Sequence, residues 1–272
     1  MAIKTQDLEY LQDVVARRSA NKIAPRQSQM LEQQLTTVAV ENGLKDVETL
    51  IAELRRVNNP KLQDKVAEAA TINETQFFRD VHPFESLKNS IIPELMQRNS
   101  ATRQFRIWCA ACSSGQEPYS IAMTILEHFP QLKDWNISIL ATDISHNMVR
   151  RTQEGNFSQL EVNRGMPPQK LVRFFDRSGT SWKVKSELSQ LITTRQLNLA
   201  KPWPFLGQFD VIFIRNVLIY FEQSVKVDIL KRMRGNLRDQ GYLFLGGPEM
   251  LLGLGLPYER QEIDASVCYR PN

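Results

Sequence analysis

Apolar positions in the first part of the chain recur at helical spacing. In QDLEYLQDVVARRS one predicted helix face carries four of them: Leu8, Leu11, Val14 and Val15. The same spacing returns in RQSQMLEQQLTTVAVENG, DVETLIAELRR and PKLQDKVAEAAT. PFESLKNSIIPELMQR predicts another helix, bent or restarted near Pro93, because proline interrupts helical hydrogen bonds. Since no strand pattern occurs here, we predict a helical N-terminal domain over residues 1–70 and a connector with a helix over 71–100.

The pattern changes near residue 105, where short apolar runs begin to alternate with helical stretches. FRIWCAA, ISILATD, DVIFIRNV and GYLFLGG read as strands, and EPYSIAMTILEHF, SHNMVRRTQEG and SVKVDILKRMRGNLRD read as helices. This alternation predicts a mostly parallel sheet covered on both faces, an α/β domain over residues 101–272. WKVKSEL and LITTRQLNL read as shorter alternating strands. We expect them to form a small antiparallel insertion at about 175–200.

Small residues separate the first predicted strand from its helix in RIWCAACSSGQEPYSIAM, residues 106–123. Ligands of open α/β sheets bind outside the carboxyl ends of the strands. Small side chains let a ligand approach the backbone, and Gly115 permits a tight turn. Glu117 at the helix start discourages a phosphate and favours a cationic or hydroxyl group. The incomplete G-x-G-x-x-G pattern also disfavours NAD. A purely structural strand–helix turn is the alternative.

Asp143 ends the second predicted strand, ISILATD. A carboxylate at that place can accept hydrogen bonds from both hydroxyls of a ribose. Alternatively, Asp143 caps the helix that follows. An acid that opens the first helix and an acid that ends the second strand together suggest S-adenosylmethionine, which has a positive amine, a ribose and no phosphate.

The chain has three cysteines, Cys109, Cys112 and Cys268, and this odd, sparse count indicates a reduced, cytosolic setting. Cys109 and Cys112 have the spacing of a redox motif, but Cys109 falls at a strand end rather than at a helix start. A zinc site would need further ligands that the sequence hardly supplies. We interpret both cysteines as small packed side chains and expect no metal.

The charge of the 272-residue chain is too mild to indicate a nucleic-acid partner. The net charge is +4, and residues 1–70 are neutral, with ten Lys/Arg and ten Asp/Glu. No apolar run is long enough to span a membrane, and the N-terminus lacks the apolar core of a signal peptide. We therefore expect a cytoplasmic location. One basic cluster reads as a solvated helix end or a docking patch: Arg17, Arg18, Lys22 and Arg26.

Four segments together resemble the CheR family of chemotaxis receptor methyltransferases. They are TINETQFFRD (71–80), RIWCAACSSGQEPYSIAM (106–123), SILATDIS (138–145) and FDVIFIRNVLIYF (209–221). The resemblance is specific after residue 70 and loose before it. It implies a Rossmann-like methyltransferase domain with a small antiparallel β insertion, preceded by a small all-α domain. The implied activity is S-adenosylmethionine-dependent methylation of glutamate side chains on the cytoplasmic helices of chemoreceptors, which gives methyl esters and S-adenosylhomocysteine for adaptation in chemotaxis.

The resemblance also implies a set of site residues. The positions that match the family's cofactor contacts are Asn73, Thr75, Arg79, Glu117, Asp143, Asn198, Leu199, Asn216 and Val217. Tyr220 matches a tyrosine near the transferred methyl group, and Arg79 is expected to orient the incoming carboxylate as well.

Structural alternatives remain open for several of these residues. Arg79 can instead form a structural ion pair, and Tyr220 can be a core aromatic residue. Asn198 and Asn216 can be ordinary loop residues that follow strands. The phenylalanines of the connector, Phe77 and Phe78, are interpreted as packing residues.

Two stretches depart from the family pattern. The second helix, MLEQQLTTVAVENG, has no Lys or Arg where relatives carry arginines that meet the receptor, and GGPEM stands where relatives often have serines. The partner is thus a receptor or another signalling protein. Some relatives bind a receptor's C-terminal peptide on the insertion, and the sequence leaves that open here. Two other functions also stay open: a non-catalytic S-adenosylmethionine-binding scaffold, and a methyltransferase for another protein or a small molecule.

Overall fold

The computed structural model describes residues 3–23 and 28–272, so Arg26 of the basic cluster lies outside the described residues. The chain divides into two compact units. Unit 1 contains the residues up to Ile72 together with Asn198–Pro202 and Tyr220–Lys226. Unit 2 contains the three remaining segments: Asn73–Leu197, Trp203–Ile219 and Val227–Asn272.

Unit 1 is built on the helices that the hydrophobic spacing predicted. They are α1 (Thr5–Ser19), α2 (Ser28–Glu41), α3 (Val47–Arg56) and α4 (Pro60–Ala69). The side chains of Asp46 and Asn59 accept hydrogen bonds from the first turns of α3 and α4, which fixes where these helices start. Leu11, Val14 and Leu50 are among the residues of its buried core.

The segment Asn198–Pro202 joins unit 1 by hydrogen bonds. The side-chain amide of Asn198 donates to the carbonyl of Arg18 at 2.8 Å, near the end of α1. The ammonium of Lys201 donates to the carbonyl of Arg17 at 3.1 Å. Besides the residues of the predicted helical domain, unit 1 therefore includes later chain that the sequence pattern assigned to the α/β domain.

Unit 2 opens with the connector and a helix that changes its geometry before Pro93. It consists of α5 (His82–Ser86), a π-helical turn (Leu87–Ile91) and α6 (Ile92–Arg98). Proline has no N–H to donate to the preceding turn, so the regular α-helical pattern is broken there. The restart predicted near Pro93 is confirmed.

A seven-stranded sheet forms the centre of unit 2, in the order β6-β2-β1-β7-β8-β10-β9. Its strands are β1 (Gln104–Ala110), β2 (Asn136–Asp143), β6 (Ile192–Gln196), β7 (Phe209–Ile214), β8 (Leu237–Leu245), β9 (Tyr258–Ile263) and β10 (Ser266–Pro271). The helices that follow α6 are α7 (Gln116–His128), α8 (His146–Glu154), α9 (Gln159–Val162), α10 (Pro168–Phe174), α11 (Ser186–Ser189) and α12 (Gln223–Asn236). The predicted α/β fold, a mostly parallel sheet with helices, is confirmed.

The register of the parallel strands brings four chain segments to one edge of the sheet. Ala110 at the end of β1 pairs with Thr142 of β2, and Ile214 at the end of β7 pairs with Leu245 of β8. Because these strands run in the same direction, the segments that follow them leave the sheet at its carboxyl edge. This edge carries the candidate site.

The small antiparallel sheet exists, but one of its predicted strands belongs elsewhere. The sheet consists of β3 (Asn156–Ser158), β5 (Ser181–Val184) and β4 (Phe175–Ser178), in the order β3-β5-β4. The strand within LITTRQLNL is β6, which pairs in parallel with β2 at the edge of the main sheet. The prediction of an insertion over about 175–200 was therefore wrong in its boundaries. Alternation predicts a strand but not its partner, so β6 was misplaced.

Candidate active site

The loop after β1 has the tight geometry that its small residues predicted. Ala111, Ser113 and Gly115 have positive φ values of 75°, 51° and 100°. The Ala111 N–H donates to the carbonyl of Thr142 at 2.8 Å, which ties the loop to the end of β2. A Cβ on Gly115 would lie 3.0 Å from the side chain of Thr152, so glycine suits this turn both sterically and conformationally.

Asp143 ends β2 and is buried, with 5% of its surface exposed. Its Oδ2 accepts from the Ser113 N–H at 2.8 Å, and its Oδ1 accepts from the Ser145 N–H at 2.9 Å. The hydroxyl of Ser145, not Asp143, caps α8 by accepting from the Met148 N–H. These backbone N–H groups hold the carboxylate of Asp143 at the carboxyl edge of the sheet, where ligands of open α/β sheets bind.

Glu117, in the first turn of α7, forms a buried ion pair with Arg215. The distance from Arg215 Nη1 to Glu117 Oε2 is 2.9 Å, and the two side chains are 2% and 13% exposed, respectively. Burial raises the pKa of Glu117, and the charges of Arg215 and, more weakly, Arg79 act in the opposite direction. Burial has the larger effect, so the pKa of Glu117 lies above its usual range although two guanidinium groups oppose the shift.

The same arginine also holds the connector. Nη2 of Arg215 donates to the carbonyl of Arg79 and to Oδ2 of Asp80, both at 2.7 Å. This stretch of backbone is unusual, because Phe78, Asp80 and Val81 have φ values of 50°, 66° and 40°. Left-handed backbone at non-glycine residues persists where surrounding contacts enforce it. Arg215 supplies two such contacts.

The guanidinium of Arg79 is partly exposed. Its Nη1 donates to the carbonyl of Glu74 at 3.2 Å within the connector. Across residues 3–23 and 28–272, no carboxylate lies within 4.0 Å of it as an ion-pair partner. The described residues therefore give no support to the alternative that Arg79 forms a structural ion pair, and the guanidinium has donors besides the one bonded to Glu74 that can meet a carboxylate.

Asn73 and Thr75 precede Arg79 on the same connector. The carbonyl of Asn73 accepts from the hydroxyl of Ser113 at 2.8 Å, and the backbone N–H of Ser113 bonds to Asp143. Ser113 therefore ties Asn73 to the buried carboxylate of Asp143. Thr75, two residues further on, is partly buried.

Asn216 and Val217 follow β7 at the carboxyl edge of the sheet. Asn216 has a φ of 58°, and its backbone N–H donates to Oε2 of Glu249 at 2.7 Å. Val217 is partly buried. The structure therefore places Asn216 and Val217 in a loop of defined conformation rather than in an extended continuation of the strand.

Asn198, Leu199 and Tyr220 belong to unit 1, and their contacts are described within it. The side-chain oxygen of Asn198 accepts from the Ala200 N–H at 3.0 Å, in addition to the bond that its amide makes to α1. Leu199 is buried. The carbonyl of Tyr220 accepts from the Lys22 N–H at 3.0 Å. The assignment of these three residues to a cofactor stays a prediction.

The cysteines and the connector phenylalanine Phe77 are packing residues. Cys109 and Cys112 are buried and not disulfide-bonded, and burial raises the pKa of both thiols well above the usual range. Such thiols are not reactive thiolates. Phe77 lies in an aromatic cluster, with its ring centroid 5.0 Å from that of Phe157 and 5.9 Å from that of Phe175. The interpretation of Cys109, Cys112 and Phe77 as packed side chains is confirmed.

The residues at this edge suit S-adenosylmethionine in their chemistry. Two carboxylates lie at this edge: Glu117, in the first turn of α7 with its side chain 13% exposed, and Asp143, buried at the end of β2. The loop of small residues leads from β1 into α7. A carboxylate can pair with a cationic amine, and a carboxylate at the end of a strand can accept hydrogen bonds from ribose hydroxyls. The described residues contain no group of three or more His, Cys, Asp or Glu that could hold a metal ion.

Sequence reasoning missed four residues that organise the site: Asp80, Ser113, Arg215 and Glu249. Arg215 could have been predicted as a site residue, because it directly follows the apolar run DVIFI at the predicted ligand edge. Glu249 follows GYLFLGGP in the same way. A charged residue just beyond a buried strand of an open α/β sheet is a candidate for this edge.

In the described parts of the chain, no helix has both the length and the apolarity that crossing a bilayer requires.

Known proteins match the chain closely in sequence. The family model described as "CheR methyltransferase, SAM binding domain" matches residues 73–266. The chain is 37% identical to chemotaxis protein methyltransferase 1 of Pseudomonas aeruginosa and 36% identical to chemotaxis protein methyltransferase Cher2 of Pseudomonas putida, over 99% of each chain in both cases. It is 37% identical to a chemotaxis protein methyltransferase of Vibrio parahaemolyticus, over 89% of this chain and 88% of that one. The chain therefore belongs to the CheR family of S-adenosylmethionine-binding chemotaxis methyltransferases.

Proposed function

We propose that this chain methylates glutamate side chains on the cytoplasmic helices of chemoreceptors. When bound, S-adenosylmethionine supplies an electrophilic methyl group, which a glutamate oxygen takes up to give a methyl ester and S-adenosylhomocysteine. A glutamate carboxylate, with an unperturbed pKa of about 4.3, is already ionised near neutral pH. The protein therefore needs no general base, and its task is to bind, orient and exclude water.

The observation that carries this proposal is the pair of contacts made by Arg215. One of its terminal nitrogens bonds to the Glu117 carboxylate at 2.9 Å and the other to the Arg79 carbonyl at 2.7 Å. The backbone of Arg79 is thereby held beside the carboxylate proposed to bind the amine of the cofactor. The position supports a role for the Arg79 guanidinium at the reacting end of the site.

Arg79 is proposed to orient the incoming glutamate. Its guanidinium is partly exposed and can offer two parallel N–H donors to a carboxylate. Such a fork fixes the plane of the acceptor carboxylate, so that one oxygen faces the methyl group. Proximity and orientation contribute roughly 7–11 kcal/mol in favourable intramolecular reactions, which is an upper guide for this step.

The remaining matched positions complete the proposed cofactor site. Asp143 is proposed to accept from the ribose hydroxyls, and Asn73, Thr75, Asn216 and Val217 to line the pocket around it. Asn198 and Leu199 are proposed as further contacts, and Tyr220 as a residue near the methyl group, by their match to the family pattern alone.

Docking of the receptor is proposed to use a surface other than α2. This helix, Ser28–Glu41, has the sequence SQMLEQQLTTVAVE and carries no Lys or Arg. An acidic receptor surface would find no complementary charge there. The antiparallel sheet offers β3 and β4 as edge strands, which could add a receptor's C-terminal peptide by strand pairing.

Methyl transfer to receptors tests the proposal. Purified chain is incubated with labelled S-adenosylmethionine and membranes that contain chemoreceptors, and the label on the receptor is then treated with mild base. We expect receptor-dependent label that base releases as methanol, as a carboxyl methyl ester requires. Membranes whose receptors carry alanine at the candidate glutamates serve as the control. Base-stable label would contradict the proposal and favour a different acceptor group. Absence of label from a chain that binds the cofactor would also contradict it and favour a non-catalytic scaffold.

A further inference from the structure

The buried carboxylate of Glu249 accepts hydrogen bonds from four backbone N–H groups, which belong to two segments at the carboxyl edge of the sheet. Its Oε2 accepts from Asn216 and from Gly246, both at 2.7 Å. Its Oε1 accepts from Leu218 at 2.7 Å and from Ile219 at 3.3 Å. Glu249 is 8% exposed. This one carboxylate thus joins the residue that follows β8 to the loop that follows β7.

Four donors saturate the acceptor sites of a carboxylate. Glu249 therefore has no lone pair left for a ligand, and it cannot be a cofactor contact through its oxygens. Its contacts instead define the backbone of residues 216–219, where Asn216 has a φ of 58°. Asparagine tolerates this left-handed conformation better than most residues, yet the conformation still needs external support.

Gly246 supports the same arrangement by its lack of a side chain. A Cβ on Gly246 would lie 2.6 Å from Nδ2, 2.7 Å from the backbone N and 2.8 Å from Cγ of Asn216. Neighbouring Gly247 is different, because a Cβ there would meet nothing within 4 Å. The close approach of the two segments therefore requires glycine at 246 and not at 247.

We propose that Glu249 is a positioning residue for the cofactor site, and that Gly246 makes room for the arrangement it holds. Glu249 fixes the loop so that Asn216 and Val217 are presented to S-adenosylmethionine before the cofactor arrives. This inference rests on the proposed function, in which Asn216 and Val217 contact the cofactor. Preorganisation of this kind improves affinity because the cofactor does not have to order the loop on binding.

The glycine pair supplies the first test. We expect Gly246→Ala to raise the Kd for S-adenosylhomocysteine about tenfold, measured by calorimetry, because it displaces Asn216. Gly247→Ala is the matched control and is expected to leave the Kd within about twofold of wild type. Equal affinities for Gly246→Ala and Gly247→Ala would overturn the inference.

Substitution of the carboxylate supplies the second test. Glu249→Gln places an NH₂ group against two of the four N–H donors, and we expect it to raise the Kd about tenfold. In the absence of cofactor, hydrogen exchange of the peptide that contains residues 216–219 should become faster. Asp210→Asn is the control for lost stability: Asp210 is also buried, and it accepts from the Arg106 N–H at 2.9 Å, but it lies at the opposite end of β7.

A merely structural role for Glu249 predicts a different result. Glu249→Gln and Asp210→Asn would then both lower the unfolding temperature and would change the Kd in proportion to it, which would overturn the inference. If Glu249→Gln fails to fold, the comparison of Gly246→Ala with Gly247→Ala tests the inference instead, because these variants leave every hydrogen-bonding side chain in place. A wild-type chain that does not bind S-adenosylhomocysteine would overturn the proposed function as well. Normal binding by wild type and by both variants would overturn the inference alone.

Discussion

Glu117 and Arg215 form a buried ion pair, with Oε2 of the carboxylate 2.9 Å from Nη1 of the guanidinium. The two residues come from segments far apart in the sequence, one from the first turn of α7 and the other from the residue after β7. Through its second terminal nitrogen, Arg215 also holds the connector at the Arg79 carbonyl and the Asp80 carboxylate. A single guanidinium therefore links three parts of the candidate site.

Loss of Arg215 should destabilise the protein strongly. Arg215→Met leaves Glu117 buried without its partner, and breaking a buried pair in this way costs about 3–5 kcal/mol. The free energy of unfolding, measured in urea, is expected to fall by about that amount. The double variant Arg215→Met with Glu117→Gln should recover part of the loss, because no unpaired charge then remains buried.

The exposed pair between Arg150 and Glu154 is the control for this measurement. Their side chains are 62% and 54% exposed, and Nε and Oε1 are 3.9 Å apart. Arg150→Met should change stability little, because solvent screens such pairs. If Arg215→Met and Arg150→Met behaved alike, the buried pair would have no special part in holding the site.

Loss of the Asp143 carboxylate should weaken cofactor binding. Asp143→Ala removes the proposed acceptor of the ribose hydroxyls as well as the anchor for the Ser113 and Ser145 N–H groups. We expect the Kd for S-adenosylhomocysteine, measured by calorimetry, to rise by about tenfold or more. Asp134, exposed just before β2, provides the control variant Asp134→Asn. Unchanged affinity of Asp143→Ala would remove Asp143 from the site.

Cofactor affinity should depend on pH through Glu117. Because burial raises its pKa, Glu117 takes up a proton at a higher pH than an ordinary glutamate. Affinity for a cationic amine should therefore fall as the pH decreases through that raised value, and binding near it should release a proton. Calorimetry across this pH range, in two buffers with different ionisation enthalpies, measures both effects.

Glu117→Gln is the reference for the pH experiment. It cannot ionise, so its affinity should be lower than that of wild type near neutral pH and should lack this pH dependence. Proton release on binding should disappear as well. Superimposable pH profiles for wild type and Glu117→Gln would show that another group is responsible.

Arg79 should matter for transfer more than for cofactor binding. Arg79→Ala removes the proposed fork for the incoming carboxylate, and we expect receptor methylation to fall by orders of magnitude, on the order of 100-fold or more. Arg103→Ala, at an exposed residue just before β1, is the control for loss of an arginine in the same unit. Initial rates with labelled cofactor and receptor membranes measure the effect. Near-normal turnover of Arg79→Ala would rule out its positioning role.

The sequence predicted those parts of the fold that depend on local spacing. The helices α1–α4 follow from apolar periodicity and from caps such as Asp46, and the tight loop after β1 follows from its small residues. The partner of β6 did not follow, because alternation within LITTRQLNL does not say which strand it will join. The hairpin of β9 and β10 was missed as well, because β9 is a half-exposed edge strand with few apolar residues.

For the site, sequence reasoning found the acids at the strand and helix ends but not the residues that hold them. Glu117 and Asp143 stand where the geometry of open α/β sheets puts ligand contacts. Arg215 is 98 positions away from Glu117, and Glu249 is 33 positions away from Asn216. Such pairings depend on strand order, which residue spacing alone does not reveal.

The central claim is that S-adenosylmethionine binds at the carboxyl edge of the sheet, between Glu117 and Asp143. A crystal structure of the chain with S-adenosylhomocysteine tests it most directly. We predict the amine of the ligand within hydrogen-bonding distance of the Glu117 carboxylate and the ribose hydroxyls within that distance of the Asp143 carboxylate. Ligand density elsewhere on the protein, with both carboxylates facing only solvent or protein, would contradict the account.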